Sequence, residues 1–244
     1  MAVYIAVHKP TSLASVKGYV PLQVGAAIHP RLPYEGDDTG HHISQKNPHY
    51  CELTGLFWIW HNVRDSYKGL VHYRRYFTYR GHLLTEEETL RLLARYDVLL
   101  PRREPLRQCA WQEFCLYSGY ERDLRLTRAA VGMVSAAMLP AFDRVMAGHH
   151  LHLYNMLVAP AVEFDAYCRW LFAVLTQVEQ GVDMTDYTPY QQRLYGFLGE
   201  RLLNVWVAHR QLKVCELTVK NTETTMAQEV RLWLRRQKNR LLGG

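Results

Sequence analysis

The 244-residue sequence lacks the glycine patterns that mark several large enzyme classes. It has no Gly-x-x-x-x-Gly-Lys segment, which excludes a P-loop, and no Gly-x-Gly-x-x-Gly segment after a strand, which excludes the usual dinucleotide fingerprint. It has no Gly-x-Ser-x-Gly segment, which excludes the nucleophile elbow of α/β-hydrolases. No Asp-x-Asp segment occurs either. Any nucleotide chemistry must therefore use other residues.

The sequence has few cysteines, and their spacing matches no metal-binding or disulfide motif. There are five cysteines and no Cys-x-x-Cys pair, so neither a zinc ribbon nor a disulfide framework is expected. Free thiols predict a reducing compartment, the cytoplasm. The N-terminus has no basic segment before an apolar run, so no signal peptide is predicted. No uncharged apolar run approaches the ~20 residues that cross a bilayer. We therefore expect a soluble or peripheral protein.

The composition is basic and rich in aromatic residues, with a net charge of +6 and 12% aromatics. A basic balance suits a phosphate-bearing ligand, an anionic membrane or a nucleic acid, and composition does not choose among them. The basic residues are spread out except at the C-terminus, so we expect no nucleic-acid partner. Hydrophobic residues make up 48%, enough for a sizeable core.

Strand-like and helix-like segments alternate along the chain. Short apolar runs predict strands at residues 3–7, 69–73, 97–101 and 153–159. Helical periodicity and caps, such as Asn47-Pro48 and the capping box of Thr85-Glu86-Glu87-Glu88, predict helices between them. The alternation predicts an α/β fold with a mixed, mostly parallel sheet flanked by helices. We expect one domain over residues 1–225 and a separate helix over 226–244.

Two basic segments follow predicted strands, where ligands bind in open α/β sheets. One is His8-Lys9 and the other is His72-Tyr73-Arg74-Arg75-Tyr76-Phe77. Arginine offers planar, paired donors to phosphate oxygens. The alternative is that His8-Lys9 is an ordinary polar loop, and that strand alternation exposes one arginine to solvent.

Each of the remaining candidate functional segments has two interpretations. Asp37-Asp38 suits a divalent cation or a plain turn, and the turn is favoured. Glu200 shares a helix face with Arg193 and Arg201, which suits a general base or a structural ion pair. The C-terminal segment is a basic amphipathic helix that either lies on an anionic membrane or docks on the domain. Its residues are Val230, Arg231, Trp233, Leu234, Arg235, Arg236, Lys238, Arg240 and Leu241.

Several ordered segments resemble a family of predicted glycosyltransferases from bacterial capsular and exopolysaccharide clusters, formerly catalogued as a domain of unknown function. The matching segments span about residues 3–210. They are His8-Lys9-Pro10, residues 21–27, Asp38-Thr39-Gly40, Ile43-Ser44, Lys46-Asn47-Pro48, residues 50–55, Trp58-Ile59-Trp60, Asn62, residues 72–77, residues 96–101, Asn155-Met156, Trp170-Leu171-Phe172, Gly196-Phe197-Leu198 and Glu200-Arg201-Leu202.

The resemblance implies a GT-A-like nucleotide-sugar-binding fold. It implies transfer of galactofuranose or another hexose from a nucleoside diphosphate sugar, with a UDP-sugar expected, to a growing surface polysaccharide or lipid-linked glycan. On this basis we assign catalysis to Glu200, with Asp97 second, and donor binding to His8, Lys9, Asp38, Asn47, His72, Tyr73, Arg74 and Arg75. Acceptor binding is assigned to Asn155, Arg193 and Arg201.

The missing Asp-x-Asp leaves two interpretations of the diphosphate site. In one, Arg74 and Arg75 neutralise the leaving diphosphate. In the other, Mg²⁺ or Mn²⁺ is held by Asp37, Asp38 or Asp97. The enzyme would work in the cytoplasm, with the inner-membrane surface as a partner of the C-terminal helix. The competing function is a non-catalytic module that binds nucleic acid or glycan.

Overall fold

A computed structural model describes residues 1–242. Within this range the strands are β1 (Ala2–Val7), β2 (Tyr19–Gln23), β3 (Glu35–Gly36), β4 (Tyr67–His72), β5 (Arg75–Tyr79), β6 (His82–Leu83), β7 (Val98–Pro101), β8 (Glu104–Pro105), β9 (His150–Leu151), β10 (Leu157–Pro160) and β11 (Val214–Asn221). The helices are α1 (Asn47–Tyr50), α2 (Leu53–Asn62), α3 (Glu86–Leu93), α4 (Ala110–Tyr117), α5 (Glu121–Ser135), α6 (Leu139–Ala147), α7 (Ala161–Gly181), α8 (Leu194–Arg210) and α9 (Met226–Leu242).

The main sheet is mixed and partly closed. Its strand order is β3-β2-β1-β4-β10-β7-β11-β5-β6, and β4 also pairs with β5. The strands β4, β10, β7, β11 and β5 therefore form a closed ring. The predicted α/β fold with a mixed sheet is confirmed. Parallel pairings do not predominate, however: in the described chain four pairings of this sheet are parallel and five antiparallel. The reason is that β10 runs antiparallel to both of its neighbours, and that β4, β5 and β6 follow one another through tight turns without a helical crossover.

Strand β1 shows how the sheet is covered on both faces. All six of its residues are buried, as expected for a central strand with helices on each side. Tyr4 and Ala6 face the larger core, which contains α2, α7 and α8. Val3, Ile5 and Val7 face a smaller core with Leu92 and Leu93 of α3. The alternation fixes the strand in place, so its carboxyl end is a rigid support for His8.

The predicted helix start at Thr85 is confirmed, whereas the predicted N-cap at Asn47 is wrong. Thr85 Oγ accepts a hydrogen bond from the Glu88 backbone N–H at 3.3 Å, and the Glu88 carboxylate accepts from the Thr85 N–H at 3.2 Å. Pro48 lies in the first turn of α1, but the N-cap residue is Lys46. Helix α1 ends at Tyr50, and the φ of 52° at its C-cap residue Cys51 turns the chain into α2.

The run Glu121–Ala147 is long and apolar enough to cross a membrane by length and composition alone. It is divided, because α5 ends at Ser135 and a 3₁₀ turn (Ala136–Met138) precedes α6. Arg128 Nε lies 2.7 Å from Asp143 Oδ1, whereas residues fifteen apart on one straight helix would be separated by about 22 Å. The two helices therefore fold against each other, and each is shorter than the ~20 residues that a span requires.

Helix α9 begins at Met226. It packs on the ribbon of β8 and β9 through Arg236, whose guanidinium bonds both carboxylate oxygens of Glu104, with 2.7 Å from Nε to Oε2. Asn239 Nδ2 donates to the Pro105 carbonyl at 2.9 Å. The helix is therefore docked on the domain. The side chains of Arg240 and Leu241, and residues 243–244, lie outside the described part of the structure.

Candidate active-site cleft

A cleft of about 1070 Å³ opens at the carboxyl ends of β1 and β4, where open α/β sheets bind ligands. It brings together residues that are far apart in sequence. Nine of the predicted site residues line it: His8, Asn47, His72, Tyr73, Arg74, Arg75, Arg193, Glu200 and Arg201. Its other polar and aromatic lining includes Glu52, Arg107, Glu113, Tyr117, Tyr154, Tyr190, Arg235, Lys238 and Asn239.

The arginine pair lies on the β-hairpin between β4 and β5. His72 and Arg75 form the last strand pair, and Tyr73 and Arg74 form the turn. The alternation expected for a continuous strand is therefore interrupted, and both arginines line the same cleft. Burial lowers the pKa of Arg75, but the ordinary pKa of a guanidinium is so far above neutral that the group stays charged at pH 7.

Arg74 and Lys9 form a cationic pair over Tyr73. The Lys9 ammonium lies 5.1 Å and the Arg74 guanidinium 5.5 Å from the centre of the Tyr73 ring. Lys9 is at the edge of the cleft rather than in its lining. The Nε of Arg74 is buried and has no hydrogen-bond partner among the described residues. A buried N–H donor without a partner is costly, so this side of the cleft is prepared for an anionic ligand.

Two histidines of the cleft are held neutral. Burial is the first cause that lowers the pKa of His8, and the charges of Lys9 and Arg74 lower it further. Burial also lowers the pKa of His72, with added effects from Arg75 and Arg74. His72 Nε2 donates to the Tyr154 carbonyl at 2.6 Å. These imidazoles are therefore neutral hydrogen-bonding groups at pH 7.

A strained turn at Tyr154-Asn155 forms the floor of the cleft. Their φ angles are 78° and 51°, a region that costs non-glycine residues energy and that is often found at functional sites. The turn is held from both sides: Glu200 Oε1 accepts the Tyr154 N–H at 2.7 Å, and Asn155 Nδ2 donates to Glu52 at 2.7 Å. The Arg75 guanidinium lies 4.5 Å from the centre of the Tyr154 ring.

Glu200 is the candidate base with the most suitable surroundings. Burial raises the pKa of its carboxyl, and the charge of Glu52 adds to this, while Arg201 and the Tyr154 N–H oppose it. A carboxylate whose pKa is raised above its ordinary value is a stronger proton acceptor. Because Glu200 and Arg75 both contact Tyr154, the candidate base and the candidate phosphate-binding arginine lie in one cluster.

The three residues predicted to bind the acceptor fall into two groups in the structure. Asn155 lies beneath the cleft and supports the strained turn. Arg201 is nearly buried, donates to the Phe197 carbonyl at 3.1 Å and contacts Glu200 at 3.3 Å. These two side chains therefore position Glu200 and its turn. Arg193 is exposed in the cleft, with its Nε donating to Cys51 Sγ at 3.3 Å, and it alone keeps a position suited to an acceptor.

Asp97 and Asp38 are not in the cleft. Asp97 precedes β7 and accepts the Lys213 N–H at 2.7 Å. Since β7 runs parallel to β4, Asp97 lies at the opposite edge of the sheet from the cleft. Asp38 accepts from Arg31 at 2.8 Å and does not line the cleft. The structure therefore leaves Asp97 without a catalytic role and Asp38 without a donor contact.

The acidic pair does not fit a divalent cation. The buried carboxylate of Asp37 accepts the Gly25 and Ala26 N–H groups at 3.1 Å each and the Ser44 hydroxyl. Through these bonds the Asp37 carboxylate stabilises a turn, which is the interpretation that the sequence favoured. Within the described residues, no group of three or more His, Cys, Asp or Glu side chains is arranged to hold a metal ion.

Sequence reasoning did not identify Glu52 or Tyr154 as site residues, nor the contribution of α9. One feature of the sequence could have identified Glu52 as a site residue, because it follows the helix break at Cys51 within the segment used for the family resemblance. Asn155 tolerates a positive φ, which hints at a turn, but nothing marked Tyr154. Helix α9 contributes Arg235, Lys238 and Asn239 to the lining, a contact that no local pattern predicts.

The fold and cleft define an α/β protein whose three-dimensional structure is shared with a glycosyltransferase. The chain is similar to the apo structure of WbbM, a bifunctional glycosyltransferase, with a TM-score of 0.84 and 27% sequence identity. The match covers 91% of this chain and 45% of that one, so this chain spans less than half of that relative.

The family model described as Domain of unknown function (DUF4422) matches residues 2–211, and the chain belongs to this family. The predicted family is thus confirmed. Curated proteins yield no significant match.

Proposed function

We propose that this protein is a glycosyltransferase with a GT-A-like donor site, which transfers a hexosyl group from a nucleoside diphosphate sugar to a hydroxyl of a glycan. One observation carries the proposal: the Arg74-Arg75 hairpin and the partly buried carboxylate of Glu200 meet in one cleft, on either side of Tyr154. The similarity to a bifunctional glycosyltransferase supports it.

The donor diphosphate lies against Arg74 and Arg75, with Lys9 at the edge. Arginine donors stabilise the negative charge that grows on the departing diphosphate. Tyr73 and the neutral imidazole of His8, whose rings lie 5.1 Å apart in an edge-on arrangement, border the nucleotide. Asn47 orders this wall, because its Nδ2 donates to the Cys51 carbonyl at 2.8 Å. A UDP-sugar is the expected donor.

Glu200 acts at the acceptor side. The acceptor hydroxyl oxygen forms a bond to the anomeric carbon, the bond from that carbon to the diphosphate oxygen breaks, and Glu200 takes the hydroxyl proton. Arg193 is placed to contact the incoming glycan. The diphosphate leaves with the bonding electron pair, which the two arginines stabilise.

The arginine role is tested by Arg74→Ala and Arg75→Ala, with the exposed Arg95→Ala, outside the cleft, as the matched control. We expect each cleft variant to lower UDP affinity or turnover by at least roughly tenfold, the loss of one charge-assisted contact. The control should match the wild type. Unchanged nucleotide binding together with unchanged turnover in both cleft variants would refute the phosphate role.

A thermal-shift panel separates this function from a non-catalytic binding module. Nucleoside diphosphates should raise the melting temperature, with Mg²⁺ or Mn²⁺ present or absent as a test of cation dependence. Stabilisation by oligonucleotide or glycan alone, without any nucleotide response, would contradict the transferase proposal. A panel of UDP-hexoses, with UDP-galactofuranose among them, then identifies the donor sugar.

We also propose that α9 places the enzyme on the cytoplasmic surface of the inner membrane, near a lipid-linked acceptor or growing surface polysaccharide. Val230, Trp233 and Leu234 share one helix face and are each more than half exposed. This face is offset by about 140° from the face that lines the cleft, at 100° per residue. An exposed apolar stripe beside basic residues suits an anionic bilayer.

Co-sedimentation with vesicles of mixed neutral and anionic lipid tests this placement. Trp233→Glu should abolish most of the binding, because it puts a charge into the apolar stripe. Val162→Glu is the matched control, since Val162 is 85% exposed on α7 and distant in sequence from α9. Equal binding by the two variants and the wild type would contradict the membrane role.

A further inference from the structure

The segment between β11 and α9 places a carboxylate on the candidate phosphate site. Glu223 Oε2 lies 3.2 Å from Arg74 Nη1, and Glu223 Oε1 lies 3.4 Å from Lys9 Nζ. One carboxylate thus bridges two cations that come from different strand ends. This is the arrangement that an anionic ligand group adopts between paired basic side chains.

Backbone hydrogen bonds hold Glu223 in this position. The Thr222 N–H donates to the Arg74 carbonyl at 2.9 Å, and the Glu223 N–H donates to the Asn221 side chain at 3.0 Å. The hydrogen bond from Arg74 is the first cause that lowers the pKa of Glu223, and Lys9 contributes. The carboxylate is therefore ionised at neutral pH.

The Glu223 carboxylate does not satisfy all the hydrogen-bond donors of Arg74. Arg74 Nε is buried without a partner in the described chain, while Glu223 and Arg74 are each more than one-third exposed. A carboxylate carries one negative charge and engages one edge of the guanidinium. A diphosphate carries more charge and more acceptor oxygens, so it would satisfy Arg74 more fully.

Glu223 is also close in sequence to α9, which begins three residues later. Arg235, Lys238 and Asn239 of that helix line the same cleft, and its attachment to β8 comes from Arg236 and Asn239. The segment that carries Glu223 therefore connects the candidate phosphate site to a helix that forms a wall of the same cleft.

We propose that Glu223 is an internal competitor for the diphosphate of the donor, and that donor binding releases residues 222–225 from the Arg74 hairpin. The identity of the displaced anion rests on the proposed function. The affinity for the donor then depends on replacing the Glu223 carboxylate by the donor diphosphate. When the donor is bound, the first residues of α9 are able to change position.

Calorimetric binding of inorganic pyrophosphate to the full-length protein tests the competition. Glu223→Gln removes the charge and keeps the shape, so we expect its Kd for pyrophosphate to fall by about threefold or more, the value of two partly exposed ion pairs. Glu216→Gln is the matched control on β11, because Glu216 pairs with Arg103 at 2.6 Å and does not line the cleft. It should bind like the wild type.

Hydrogen exchange provides a second measurement. Pyrophosphate should speed exchange of the Thr222 and Glu223 amides in the wild type, since their hydrogen bonds belong to the closed arrangement. An unchanged Kd in Glu223→Gln, or exchange that slows on binding, would overturn the proposal. Sugar transfer that depends on Arg75 but not on Glu223 would overturn it and leave the proposed function intact. Tighter pyrophosphate binding in Glu223→Gln, without any sugar transfer, would support the competition and refute the transferase.

Discussion

Replacing Glu200 by Gln removes the candidate base while keeping its size. The amide oxygen of Gln can still accept the Tyr154 N–H, which the carboxylate accepts at 2.7 Å. The strained turn at Tyr154-Asn155 should therefore persist. The second contact, 3.3 Å to Arg201, involves the other oxygen, and an NH₂ group there faces a donor. The variant thus loses one charge and one ion pair.

The cost in stability follows from the burial of the pair. The side chain of Arg201 is 5% exposed and that of Glu200 18%, and removing one partner of a buried pair costs up to about 3–5 kcal/mol. Arg201 retains the Phe197 carbonyl and lies 5.1 Å from the Phe114 ring centre. Burial also disfavours the Glu200 charge, so its removal offsets part of the loss. We expect about 1–3 kcal/mol, or a Tm lower by roughly 2–4 °C per kcal/mol.

The effect on turnover should be much larger than the effect on folding. A positioned general base contributes roughly 10²–10⁴-fold, so kcat of Glu200→Gln should fall by at least about a hundredfold. The affinity for UDP should change by less than about twofold, because Glu200 faces the acceptor.

The assay is sugar transfer from the donor identified in the hexose panel, measured well below the Tm of every variant. Glu113→Gln is the control, since Glu113 is another cleft carboxylate without a proposed role in proton transfer. A kcat in Glu200→Gln close to that of the wild type, with both proteins folded, would refute the assignment of the base.

Three further predictions address the pH dependence of activity, the turn held by Asp37, and the space available at Gly25. Because burial raises the pKa of Glu200 and only its ionised form accepts a proton, activity should fall as pH drops through a value above the ~4.3 of a solvated Glu; a pH–rate profile checks this, and an acid limb at the ordinary value would contradict it. Asp37→Asn should lower stability by about 1–3 kcal/mol, because an amide satisfies fewer of the buried donors, as measured by urea unfolding. Gly25→Ala should destabilise more than Gly81→Ala. Both glycines have positive φ, but only at Gly25 would a Cβ lie 2.7 Å from Asn47, and equal melting temperatures would remove this argument.

Local sequence patterns determined much of the framework of the site. The apolar run of β1 and the one that becomes β4 placed His8 and Arg75 at strand ends, and parallel neighbours bring such ends together. The capping box at Thr85 and the proline at position 48 marked helix starts, because capping is a property of adjacent residues. The ordered motifs also identified the family.

Tertiary structure alone decided which of the polar residues belong to the cleft. Asp97 and Glu200 were both candidate bases, but strand direction places Asp97 at the far edge of the sheet, while helix packing places Glu200 beside Tyr154. Glu223 reaches Arg74, and Lys238 reaches the cleft, only because the chain returns after β11. Periodicity and capping depend on neighbours along the chain, whereas charge pairing and burial depend on neighbours in space, so these roles become visible only in the folded protein.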